Sequence, residues 1–137
     1  MSDASRILAG ILLFAVPTVE FGGLALLGML TRRTAGYLDN PLRQNMFRAG
    51  HAHAGVWLVF ALVALLWVDQ TDLGEPWKWI VRIAFVAAPI LMPLGFFLSV
   101  TRPDAQRPSG VIGLVYVAGL ALGVGAVTLG LGLLLSA

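Results

Sequence analysis

The sequence predicts an all-α integral membrane protein, a single four-helix bundle of up-down topology, on three observations. Of its 137 residues, 58% are apolar and 12% charged, and its mean hydropathy is +0.88. That is too apolar for a soluble core wrapped in a polar surface. A bilayer-crossing helix needs about 20 mostly apolar residues, and charge-poor stretches supply four, at about 6–31, 41–68, 77–100 and 109–135. The third observation is that these spans use most of the chain. Any chemistry must then take place within or at the edge of the bilayer, which excludes a secreted enzyme, a nucleic-acid binder and a cytosolic domain. With no cysteine, disulfides, thiolate zinc sites, iron–sulfur clusters and covalent c-type haem are excluded too.

The first run, Arg6 to Thr31, carries Pro17 and Glu20 near its middle. It is too long, too interrupted and too poor in flanking basic residues for a signal peptide. Asn40 as N-cap followed by Pro41 starts the second helix, which runs to about Val68. Asp69 to Glu75 form an acidic loop, and Pro76, Trp77 and Trp79 open the third helix at an aromatic interface belt that Trp67 joins. Pro89 and Pro93 bend that helix, and Arg82 is expected to snorkel to the outer interface. A polar break from Thr101 to Ser109 precedes a glycine-rich last span. Loops one and three carry Arg32, Arg33, Arg43, Arg102 and Arg107, so their face is expected to be cytoplasmic. Both termini then lie outside a plasma or bacterial-type inner membrane.

Ionisable groups within a span are costly and mark pairs, ligands or pathways. From the cytoplasmic helix ends, Glu20 lies roughly 16 Å deep, His51 and His53 roughly 15 and 18 Å, and Tyr116 roughly 12 Å. This shared stratum points to a site just cytoplasmic of the midplane, with Glu20, His51 and Tyr116 as candidate catalytic residues.

The segment Arg48-Ala49-Gly50-His51-Ala52-His53-Ala54-Gly55 is the densest signal. Positions two apart on a helix differ by about 200°, so the two histidines cannot chelate one small ion. Gln44, Arg48, His51 and Gly55 share one side, expected to face the bundle interior, where Glu20 would bond His51 or pair with Arg48. Ala49, His53, Trp57 and Phe60 share the other. Small residues such as Gly50 and Ala54 would let a planar group approach, and neutral imidazole is the usual axial ligand of haem iron. His53 is therefore the candidate metal ligand, with Arg48 or Arg43 for propionates and Trp57 beside the ring. The structural alternatives are an interhelical pair for Glu20, an interfacial role for His53, and close helix packing for Gly119-x-x-x-Gly123.

A short four-helix membrane chain with Ala52-His53-Ala54-Gly55 early in its second span resembles the styrene oxide isomerase and hydroxylaminobenzene mutase families. The resemblance implies a trimer holding haem b between subunits, with His53 on the iron. Ferric iron would act as a Lewis acid that opens an epoxide, and a 1,2-shift would give an aldehyde. The family's asparagine two turns after the histidine has no match among Val56, Trp57, Leu58, Val59 and Phe60. Its third-span tyrosine is absent, and Tyr116 lies on the fourth span. The expected function is a haem b-binding Lewis-acid isomerase of a small hydrophobic substrate, embedded in the lipid bilayer as a homo-oligomer, without nucleic acid. Two alternatives stand beside it. One is a haem-based electron-transfer or quinone-linked subunit, whose bis-histidine ligation could arise only across a subunit interface. The other is a non-enzymatic accessory or transport subunit using Glu20, Arg48 and the histidines as a charge network.

Overall fold

A computed structural model describes residues 1–136. Among these the chain is helical, with α1 (Asp3–Thr31), α2 (Pro41–Val68), α3 (Glu75–Leu98), a 3-10 turn at Gly110–Ile112 and α4 (Gly113–Leu135). All four α-helices are long and apolar enough to cross a membrane. The Asn40 side chain accepts from the Arg43 amide at 3.1 Å, with Pro41 in the first turn. This satisfies one of the free donors at the start of α2. Helix α1 begins earlier than its apolar run because Ser2 caps it, accepting from the Ser5 amide at 3.2 Å, and Asp3 favours the positive end of the helix dipole.

Helices α2 and α3 form the centre. Helix α4 packs on α3 and touches α2, α1 packs mainly on α2, and α1 and α4 do not meet. The core joins Ala61, Leu65, Val68, Val81, Phe85, Met92 and Leu122. Helix α1 is peripheral, leaving Phe14 87% and Phe21 72% exposed. An apolar face of that extent suits lipid or another subunit.

At one end of the bundle, the α2–α3 loop meets the start of α1 and the end of α4. The Asp72 amide donates to Ser136 Oγ at 2.8 Å. At the other end the two remaining loops lock together. Asn40 Nδ2 donates to the carbonyls of Pro103 and Ala105 at 2.9 and 3.0 Å. Arg43 donates to Val100 O at 3.1 Å and Gly36 O at 2.8 Å. Gly36 has φ +72°, and a Cβ there would lie 2.6 Å from Pro103 Cβ, so only glycine serves.

The glycines of α4 divide by what they face. A Cβ on Gly125 would lie 2.6 Å from Ala84 Cβ, and one on Gly132 2.6 Å from Leu73. Gly123 faces open space, and Gly119 meets only Met92 at 3.6 Å. Close packing within the chain therefore falls at Gly125 and Gly132 rather than at Gly119-x-x-x-Gly123. Gly125→Leu is expected to cost about 1–3 kcal/mol through overpacking, whereas Gly123→Leu should leave the fold of a single chain intact. Thermal unfolding in mild detergent distinguishes the two.

Arg82 departs from expectation: it is buried, with 1% exposure, and does not snorkel. Its guanidinium donates to Asp69 at 2.7 Å, Glu75 at 2.9 Å, Ser5 Oγ at 3.1 Å and Ser2 Oγ at 3.2 Å. The cluster ties the start of α1 to the α2–α3 turn, and with these partners on hand the charge need not reach water. Burial pushes the Asp69 carboxyl up. Hydrogen bonds from the Ser2 amide, Arg82, and the Ser5 and Ser2 hydroxyls outweigh it and hold the pKa at about 2, below the ordinary 3.8. Because the folded value is depressed, the stabilisation is complete above the unfolded pKa and disappears as pH falls through the folded one. Stability should be flat above about pH 5 and drop by about 2 kcal/mol on acidification to pH 2. Asp69→Asn should start less stable and lose that acid-dependent step, as read by unfolding at stepped pH.

Candidate functional site

The two histidines of α2 occupy separate environments. His51 turns to α1, where Gly22 and Gly23 leave room for its ring. A Cβ on Gly23 would lie 3.1 Å from His51 Cε1 and Nε2. His53 turns the other way, its ring centroid 4.9 Å from that of Phe96 at 42°. Its Nδ1 lies 2.7 Å from the Ala49 carbonyl oxygen one turn back. A carbonyl only accepts, so this bond assigns the hydrogen to Nδ1 and leaves the lone pair on Nε2. An imidazole in that tautomer is prepared to ligate a metal or accept a proton.

One turn further, Trp57 packs on Phe60 with centroids 5.7 Å apart. Its Nε1 is buried without an acceptor. Trp57, Phe60, Met92, Gly119 and Gly123 line an apolar groove of about 630 Å³ between α2, α3 and α4. The groove exists because Gly119 and Gly123 present no side chain there.

Other candidates are placed differently from what the helix pattern suggests. A Cβ on Gly50 would lie 3.1 Å from Phe96 and Phe97, so Gly50 serves the α2–α3 contact. Ala54 is buried in a second cavity, between α1, α2 and α3. Glu20 and Arg48 are exposed, and the expected links from Glu20 to His51 or Arg48 do not form. Tyr116 is 73% exposed on α4, which does not touch α1. The common depth of Glu20, His51 and Tyr116 thus does not gather them into one intrachain site. Depth counted along a helix says nothing about azimuth.

A bound haem is tested by the donors present. The described residues contain no group of three or more His, Cys, Asp or Glu able to hold a metal ion. Axial ligation needs only one imidazole, and His53, whose Nδ1 is bonded to the Ala49 carbonyl, would offer Nε2 for it one turn before the Trp57 that lines the groove. Propionate pairing is not supplied within the chain. Arg43 is occupied by Val100 and Gly36, and Arg48 lies about 140° round α2 from His53.

Two features escaped sequence reasoning. The Arg82 cluster was signalled by Glu75 two turns before it and by Ser2 and Ser5 three residues apart. The second cavity was signalled by the pairs Gly22–Gly23 and Pro89–Pro93. Comparisons with family models, curated proteins and solved structures find no match to the chain.

Proposed function

We propose that the chain is a multi-pass integral membrane protein, an up-down bundle, that carries haem b on His53 and isomerises a small hydrophobic substrate drawn from the bilayer. The observation that carries this reading is the 2.7 Å bond from His53 Nδ1 to the Ala49 carbonyl, which directs the basic Nε2 away from α2. Bound haem iron would supply a Lewis acid for a substrate oxygen. The chain's own part is to orient and exclude. The Ala49 carbonyl fixes the ring plane and the tautomer, as second partners of ligating histidines do. Phe96 packs against the imidazole, with ring centroids 4.9 Å apart, and covers one side of it. The apolar groove past Trp57 accepts a lipid-soluble molecule without charge to desolvate.

His53 is half-buried in a single chain, so a neighbouring copy would close the site and offer the arginine that this chain does not place there. This supports a homo-oligomer, a trimer by the family resemblance. Glu20 and Tyr116, exposed in one chain, would face its interfaces. The arginine-bearing loops would lie in the cytoplasm and both ends of the chain outside. Protein purified in mild detergent and supplied with haem should show a Soret band. His51→Ala should keep that band and His53→Ala should lose it. No band under either condition rejects the reading, and a six-coordinate low-spin spectrum favours electron transfer instead.

A further inference from the structure

We propose that the cavity between α1, α2 and α3 is a second binding site, for a small neutral lipophile bearing a hydroxyl group, with His51 as its hydrogen-bonding partner. The cavity measures about 340 Å³. An engineered cavity of about 150 Å³ holds benzene, so this one has room for two fused rings. Its walls are aliphatic or aromatic, from residues such as Leu12, Val19, Leu58 and Phe97, and no charged residue lines it.

Three polar groups interrupt that surface. His51 makes no hydrogen bond to any described residue, in contrast to His53, so its ring offers one donor and one acceptor. Pro93 has no amide hydrogen, which leaves the Pro89 carbonyl without its helical donor, and both prolines line the cavity. Thr18 already donates to the Ala15 carbonyl at 2.6 Å and can only accept. Acceptors therefore outnumber donors, and the ligand must supply a hydrogen. A hydroxyl can donate to His51 or Pro89 and can also accept from the His51 N–H, whereas a carbonyl can only accept. An ammonium group would carry an unpaired charge into an apolar site. Entry from lipid is open along α1, which touches α3 only lightly. The site lies on the other side of α2 from His53, and its occupancy does not depend on haem.

The test compares 2-naphthol with 2-methylnaphthalene, molecules of similar size that differ in the hydroxyl. Both are offered to the full chain in mild detergent, with protein-free micelles as the blank. Wild type should bind 2-naphthol about tenfold more tightly than 2-methylnaphthalene, the preference that one well-made hydrogen bond supplies. His51→Phe should bring the ratio to about one while 2-methylnaphthalene still binds. Ala15→Phe, which fills the cavity from the peripheral helix, should abolish binding of both. His53→Ala should leave the ratio unchanged, which separates this site from the proposed haem site. In nitrogen-labelled protein, the His51 ring signals should move with 2-naphthol and stay put with 2-methylnaphthalene. The proposal is overturned by a wild-type ratio near one, a ratio that survives His51→Phe, binding that survives Ala15→Phe, or unmoved His51 signals.

Discussion

Arg82→Ala is expected to cost about 3–5 kcal/mol, because removing one partner of a buried ion pair leaves the other charge uncompensated. Asp69, whose side chain is only 10% exposed, pairs with Arg82 at 2.7 Å. It would keep only the Ser2 and Ser5 donors. The loss should open the bundle at one end first. Ser2, Ser5, Asp69, Glu75 and Arg82 bring three helices together there, whereas α1 is otherwise lightly buried. The guanidinium also lies 5.3 Å from the centre of the Trp79 ring, so its removal loses packing as well as charge. The double replacement Arg82→Met with Asp69→Leu removes both charges and keeps most of the volume. It should be much milder than Arg82→Ala, as replacements of whole buried pairs often are. Thermal unfolding in mild detergent, with proteolysis of α1 as a local probe, reads both effects. Equal damage from the single and double variants would show that the cluster matters for shape rather than for charge pairing.

The fold was legible because its signals are local and repeated. Twenty-odd apolar residues between polar breaks make a helix whatever surrounds them. Asn40-Pro41 marks the start of α2 by a capping bond between residues three apart. The early start of α1 at Asp3 was less legible, since Ser2 gains its value partly from Asp69, 67 residues away. Arg82 departs from the expectation for the same reason. A lone arginine one or two turns into a span snorkels unless partners meet it, and those partners come from two other segments.

At the candidate site, the relative azimuth of the two histidines was legible and the neighbour that each one faces was not. The helical period separated His51 from His53, and the structure places them against α1 and Phe96 respectively. Which face of α2 meets which neighbour depends on packing by Gly22, Gly23 and Gly50, and a glycine in a sequence does not say whether a helix or empty space lies opposite. Gly119 and Gly123 looked like a packing motif and line a groove instead.

His53 carries the second large effect. Replacing it by glycine deletes the one nitrogen that the Ala49 bond holds free for ligation, and leaves a space that free imidazole can enter. Glycine at this half-buried position should lower helix stability by about 1 kcal/mol, too little to unfold the bundle. Haem affinity, by contrast, should collapse. His51→Gly should leave it unchanged, since that ring faces α1 on the opposite side of α2. The deciding measurement is the Soret absorbance of haem-reconstituted His53→Gly protein in mild detergent, before and after imidazole is added. The band should be absent before and restored after, with the fold unchanged throughout. A band that persists in His53→Gly without imidazole, or that never forms in wild type, would contradict the assignment of His53 as the haem ligand.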